Sequence, residues 1–321
     1  MKKLLLVVLC IVAAVCLWQV PSSSSAEPIT DAQEIAQENL VTRFLVMGRD
    51  RAAGLCDSMF VVTLNETRRS ASVLQIPRDT YANYTDRDYK KLNGALNVMG
   101  AEGVTRMLSE ALGVPIAHFI VLDLDGVQSM VDAIGGVDVV LEREMAYTDP
   151  AQGLEIKLPK GAVHLDGQGA EQLVRYRAGY VNADLGRLDA QKLFLRAFAQ
   201  KCKTVSVTQA MHLMESALTR VQTDLTLPEA IRLASVLREC DTDDIPMATL
   251  AGEPVQGVSG AWYYCICRAA ACRMVNEYLC PAATLDIASF DTKGLFDRVE
   301  NQSFHKIYTA PDFGGKSDAG G

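Results

Sequence analysis

The sequence predicts an α/β fold on three observations. Short runs rich in β-branched and apolar residues alternate with stretches of helical spacing from Arg43 to about residue 280. Proline, glycine and asparagine stop these runs one after another. Of 321 residues, 49% are apolar and 22% charged, enough to bury a core and too apolar for a disordered chain. One long apolar run excludes a multi-pass membrane protein, and a net charge of -8 argues against nucleic acid as a partner.

Phe44–Met47 and Met59–Leu64 read as strands, the second ended by Asn65-Glu66-Thr67. Ala71–Ile76 reads as a third and stops at Pro77. Glu102–Leu112 carries Val104, Met107, Leu108, Ala111 and Leu112 at helical spacing and ends at Gly113. Phe119–Leu122 is a strand, Val127–Ile134 a helix closed by Gly135-Gly136, and Val137–Leu141 a strand. Helices are predicted at about 187–203, 207–220 and 228–239. After Pro246 an extended segment leads to a strand at Trp262–Ile266 and a helix at Ala269–Leu279. Residues 281–321 lose periodicity and are predicted to form a loosely ordered tail. The reading is therefore a single domain over 43–280, behind a polar tether at 21–42.

Ahead of the tether, Lys2-Lys3 precede an uncharged run from Leu4 to Val20, which predicts a membrane segment at 1–20. Seventeen residues span about 25 Å as a helix, within the lower range for a crossing. The leading lysines orient the remainder of the chain outside the cytoplasm. A retained signal anchor and a peptide cleaved after Ser24-Ser25-Ala26 both fit the pattern. Seven of the nine cysteines lie beyond this run, and such a compartment permits one or two disulfides among the C-terminal ones. Cys265-x-Cys267 has no zinc-site spacing.

Familiar enzyme signatures are missing. Gly257-Val258-Ser259-Gly260-Ala261 fails the nucleophile-elbow pattern at its last position, and Gly167-Gln168-Gly169 lacks the third glycine of a dinucleotide fingerprint. What remains is a set of charged residues. Asp50 follows the first strand and Asp57 precedes the second, so two carboxylates at neighbouring strand ends could hold Mg²⁺ or cap turns. Arg78-Asp79 follows a buried-looking strand and Pro77, where ligands of open α/β sheets bind. If Arg175-Tyr176-Arg177 is extended, its two guanidiniums share a face and can clamp phosphate oxygens. Asp184, Arg187 and Gln191 share one face of a helix beginning near Asp184, where the helix dipole favours an anion.

Magnitude favours phosphate over carboxylate as the target. An Arg–phosphate contact at 4 Å is worth about 4 kcal/mol at an effective dielectric near 20, and about 1 in bulk water. Four gathered arginines repel one another unless a polyanion neutralises them, and a pyrophosphate with a magnesium ion matches that count.

Several blocks resemble the LytR-CpsA-Psr family, in that family's order. They are Phe44–Asp50, Asp57-Ser58-Met59, Gln75–Tyr81, Lys91–Ala95, Val131–Val139, Val174–Arg177, and Asp184–Arg187 with Gln191. The resemblance implies an α/β/α sandwich with a long apolar pocket, set outside the cell membrane on a single-pass anchor. It implies a Mg²⁺-dependent phosphotransferase that moves a glycopolymer, such as teichoic acid or capsule, from an undecaprenyl pyrophosphate carrier onto peptidoglycan. By motif, Asp50 and Asp57 would hold Mg²⁺, and Arg78, Arg175, Arg177 and Arg187 with Gln191 would bind the pyrophosphate. Asp50, Arg78 and Arg175 would carry the chemistry, and Asp79 and Asp184 would support it. Two positions depart from the pattern: Leu55-Cys56 where the family often has Arg-Ser, and Ala190 where it often has Arg. The same residues would also serve a polyprenyl pyrophosphate hydrolase, or a non-catalytic binder of the lipid-linked glycan.

Overall fold

A strand buried on both faces has to be apolar nearly throughout, and the second strand of this protein meets that demand from Met59 to Leu64. The computed structural model describes residues 40–281 except 51–53, 83, 85–89, 151–152, 177–182, scattered positions between 207 and 219, 242–244 and 257–260, and adds 284–286 and 290. The proposed anchor, most of the tether and most of the tail lie outside the described residues. Among the described residues no helix is long and apolar enough to cross a membrane.

In chain order the described elements begin with β1 (Val41–Arg49), β2 (Cys56–Asn65), β3 (Ser70–Gln75) and α1 (Ala95–Leu112). Next come β4 (His118–Asp123), α2 (Leu124–Ala133), β5 (Val137–Leu141), β6 (Met145–Asp149), β7 (Leu154–Leu158) and β8 (Gly161–Leu165). They continue with α3 (Gly167–Arg175), α4 (Ala183–Cys202), β9 (Val221–Thr223) and α5 (Leu227–Glu239). The last are β10 (Met247–Thr249), β11 (Gly252–Gln256), β12 (Trp262–Ile266) and α6 (Arg268–Leu279). The elements fall into two compact units, one drawn from Glu27–Val121 with Pro246–Gly321, the other from Leu122–Ile245.

In the first unit the sheet runs β10–β3–β2–β1–β4, antiparallel from β1 to β3, with β10 parallel to β3. Met59 and Val61 of β2, Leu45 and Met47 of β1, and Leu74 of β3 enter a core shared with Val104, Leu108 and Leu112 of α1 and Val275 and Leu279 of α6. α1 is two helical segments, because Gly100 at φ 69° and ψ 175° breaks the helical conformation. A side chain with a Cβ is strained there, which is why the periodicity is readable only from Glu102 onward. The buried Arg43 fastens β1 to α6 by donating from Nε to the Leu279 carbonyl at 2.6 Å.

The second unit pairs β5 with β8 and β6 with β7, both antiparallel. Strict alternation places Val137, Val139 and Leu141 of β5, and Leu154, Ile156 and Leu158 of β7, in a second core with Leu173 of α3 and Phe194 of α4. Helix α3 is capped by Asp166, whose Oδ1 accepts the Gly169 N–H at 2.8 Å. Helix α5 opens with a capping box between Thr226 and Glu229. The seven cysteines among the described residues are free thiols, so the disulfides that the compartment would permit are not formed.

Candidate active site

In the first unit, the charged residues singled out from sequence are delivered by the ends of β1 and β2 and the turn after β3. Along β1 and β2, Met47 pairs with Met59 and Gly48 with Ser58, but Arg49 pairs with Cys56. Asp57 is thus the extra residue of a β-bulge. Continued alternation from Val61 and Met59 would have aimed Asp57 into the core. The inserted residue resets the phase, so Cys56 takes the core position and the Asp57 carboxylate stays 32% exposed.

Asp50 closes the turn that precedes the bulge. Its N–H donates to the Leu55 carbonyl at 2.8 Å, and its Oδ1 accepts the Leu55 N–H at 3.0 Å. Cys56 senses both carboxylates: burial pushes its thiol up to about 12, and the charges of Asp57 and Asp50 push it the same way. Leu55 and Cys56, the first departure from the family pattern, therefore serve the turn and the core.

Arg78 sits on a backbone whose four consecutive carbonyls are all engaged. Pro77 accepts from the Thr80 N–H at 3.0 Å, Arg78 from Asn93 at 3.0 Å, Asp79 from Tyr264 at 2.8 Å, and Thr80 from Leu92 at 2.8 Å. The side chains then form a line of alternating charge. Nη1 of Arg78 donates to Oδ1 of Asp57 at 2.5 Å, Nε of Arg78 lies 3.7 Å from Asp79, and Nζ of Lys91 lies 2.8 Å from Asp79. Lys91 also stands over the Tyr263 ring, 5.8 Å from its centroid. Lys91 is a residue to which sequence reasoning gives no role; its signal there is that it opens the Lys91–Ala95 block of the family resemblance, directly before buried Leu92.

In the second unit, Arg175 closes helix α3, and extended backbone begins only at Tyr176 (φ -64°, ψ 128°). The extended Arg175–Arg177 pairing expected from the sequence is therefore not formed at Arg175, because the helix reaches it. Arg177 lies outside the described residues. Nη1 of Arg175 donates to Oε1 of Glu171 at 2.8 Å, one helical turn earlier, and Glu171 takes a second bond from Nε2 of Gln128. Glu171 is the other residue that sequence reasoning misses, since a glutamate in a polar-looking helix gives no sign of burial.

Asp184 and Arg187 lie in the first two turns of α4, as the spacing predicts, and their side chains lie outside the described residues. Gln191, on the same helix, is buried and donates from Nε2 to the Val174 carbonyl at 3.4 Å. It thereby secures the last turn of α3, where carbonyls have no partner inside the helix. Ala190, the second departure, is buried in the core that also holds Phe194 and Ala197.

Two carboxylates near one bulge suit a hard cation that takes its other ligands from water and phosphate. Among the described residues there is no cluster of three or more acidic, histidine or cysteine side chains that would make a self-sufficient metal cage.

A family model described as "LytR_cpsA_psr family" matches residues 19–278. A protein of Bacillus anthracis (strain CDC 684 / NRRL 3495) named "Polyisoprenyl-teichoic acid--peptidoglycan teichoic acid transferase TagU" is 28% identical over 240 residues, covering 73% of this chain and 76% of that one. The corresponding TagV of Bacillus subtilis (strain 168) is 27% identical over 217 residues, covering 66% and 56%. Among solved structures, a Streptococcus agalactiae protein, gbs0355, superposes with a TM-score of 0.69 at 19% identity, covering 84% of this chain and 97% of that one. B. subtilis TagV superposes at 0.63 with 24% identity, covering 74% and 97%. Both show the same mixed α/β fold.

Proposed function

The chain belongs to the LytR-CpsA-Psr family, and on that premise we propose that it is a glycopolymer–peptidoglycan phosphotransferase acting outside the cell membrane. Its donor would be a glycan, such as a teichoic acid, carried on undecaprenyl pyrophosphate, and its acceptor a hydroxyl of peptidoglycan. The observation that carries the reading is the family match over residues 19–278, which contains every charged residue singled out from the sequence. In this reading an apolar pocket of an α/β/α sandwich would hold the polyprenyl chain, and residues 1–20 would keep the protein at the membrane.

Phosphoryl transfer needs positioning and charge neutralisation more than covalent help from the protein. Arg78 and Arg175, with Arg177 and Arg187, would bind the pyrophosphate and stabilise charge on the departing polyprenyl phosphate. Asp57 and Asp79 flank Arg78 and hold its guanidinium in one orientation, and Lys91 holds Asp79. Asp184 would support the arginines of its own segment, and Gln191 keeps the turn that carries Arg175.

Charge bookkeeping gives Mg²⁺ a reason to be there. Asp57, Arg78, Asp79 and Lys91 carry two charges of each sign and sum to zero, and Asp50 makes the group -1. A group of that charge does not attract a polyanion. One divalent ion on Asp50 and Asp57 would bring it to +1, and a unit charge at 4 Å is worth about 4 kcal/mol at an effective dielectric near 20. When bound, the ion would offset charge on the phosphate oxygens.

The test is product analysis with the purified full chain, a polyprenyl pyrophosphate-linked glycan and Mg²⁺, with and without a peptidoglycan acceptor. Transfer predicts a phosphodiester-linked glycan on the acceptor and little turnover without it. Equal release of polyprenyl phosphate in both reactions would make the protein a hydrolase instead.

A further inference from the structure

Glu171 is a buried carboxylate in helix α3, its side chain 7% exposed, with both oxygens occupied. Oε1 accepts from Nη1 of Arg175 at 2.8 Å, and Oε2 accepts from Nε2 of Gln128 on helix α2. The arrangement depends on a close approach of the two helices. Gly167, Glu171 and Arg175 stand at i, i+4 and i+8, one stripe of α3. At the head of that stripe, a Cβ on Gly167 would come within 2.5 Å of the Gln128 carbonyl oxygen. The Gly167 N–H also donates to Oδ1 of Asp132 at 2.7 Å. Only glycine lets α3 start this near to α2, and that nearness brings the Gln128 amide onto Glu171 one turn later.

Stability alone does not account for this pair. A buried ion pair is commonly matched or bettered by apolar residues of similar volume, and the remainder of that helix face is apolar core. What Glu171 does supply is a fixed direction for Arg175. The guanidinium is a rigid fork, so a carboxylate held on its other oxygen by Gln128 sets the plane in which the fork lies.

We infer that Glu171 is a positioning residue, which together with Gln128 sets the Arg175 guanidinium for an incoming anionic group of the pyrophosphate class. The inference rests on the reading of Arg175 as a pyrophosphate ligand. Loss of the orientation would weaken binding while leaving the helix in place.

The decisive experiment is an amide–carboxylate exchange, Gln128→Glu with Glu171→Gln, in the full chain in detergent. The exchange keeps the bond between positions 128 and 171 and the net charge, but puts an amide against Arg175. Geranylgeranyl pyrophosphate with Mg²⁺ is the probe, titrated calorimetrically beside thermal unfolding. The expected result is binding weakened about tenfold, the loss of one charge-assisted hydrogen bond's directing effect, in a protein whose unfolding midpoint is lowered by the broken ion pair but stays above the titration temperature. Gln128→Leu, which loosens Glu171 without altering either charge of the pair, should weaken binding about threefold; it decides the matter alone if the exchanged protein does not fold. Wild-type affinity in both variants overturns the positioning role and leaves the proposed function standing. A wild-type protein that does not bind the probe overturns the proposed function, and this role with it.

Discussion

Asp57 and Arg78 meet at 2.5 Å only because a β-bulge turns Asp57 out of the core that its strand faces. The start of β2 and the turn after its sheet neighbour β3 are thereby locked by one ion pair. With Asp57 32% exposed and Arg78 16%, that pair contributes little to stability, about 0–1 kcal/mol.

Arg78→Ala should therefore separate function from folding. Transfer should fall by about a hundredfold or more, the scale set by removing a group that stabilises transition-state charge. The unfolding midpoint should move by no more than about 2–4 °C. Arg78→Lys should recover only part of the activity, because an ammonium cannot present a planar fork. Full transfer by the alanine variant would remove Arg78 from the mechanism.

Asp57→Asn should change the metal dependence. The variant loses one carboxylate of the proposed cation site, and the local charge of the five groups rises from -1 to 0. A pyrophosphate probe should then bind nearly as well without Mg²⁺ as with it, while Mg²⁺-stimulated transfer falls at least tenfold. Titrating wild type and variant with the probe, in Mg²⁺ and in EDTA, checks this. An identical Mg²⁺ response in the two proteins would move the cation elsewhere.

Periodicity carries much of this architecture and fails at identifiable places. β1, β2 and β3, and helices α4, α5 and α6, are legible because their apolar residues repeat over a buried face. β6 carries one core residue, Met145, followed by exposed Ala146, Tyr147 and Thr148, so it has no alternation to read. β7 does alternate, at Leu154, Ile156 and Leu158, but five residues beside a strand without a pattern are easily passed over. The bulge at Asp57 is a matter of register, and register belongs to two strands at once. Asp50, Asp57, Arg78 and Arg175 can be picked out one at a time, as charges at element ends. Their holders, Lys91 and Glu171, acquire meaning only from a partner that the fold supplies.

Arg175→Ala should behave differently from Arg78→Ala in stability. It strips the partner from a carboxylate that is 7% exposed, and an uncompensated buried charge costs about 3–5 kcal/mol. Urea unfolding should show that loss, and Arg175→Ala combined with Glu171→Leu should recover most of it, since the buried charge is gone. Loss of transfer in Arg175→Ala is interpretable only beside that double variant, which should fold and still be inactive. Equal stabilities for Arg78→Ala and Arg175→Ala would contradict the burial of Glu171.

Alkaline pH offers a test of the cores themselves. Burial pushes the thiols of Cys56, Cys202 and Cys265 from 9.0 up to about 12. Each folded thiol then holds its proton over a range where its unfolded counterpart has lost it. The folded state binds more protons between pH 9 and 12, so stability is fully present below about pH 9 and declines as pH rises toward 12. Each thiol contributes a slope approaching about 1.4 kcal/mol per pH unit inside that window. Urea midpoints measured from pH 8 to 10.5 should be flat at first and then fall. Cys265→Ala should start lower, because it leaves a small cavity, but fall less steeply by one thiol's share. A wild-type stability that stays level to pH 10.5 would mean that these thiols meet water in the folded protein.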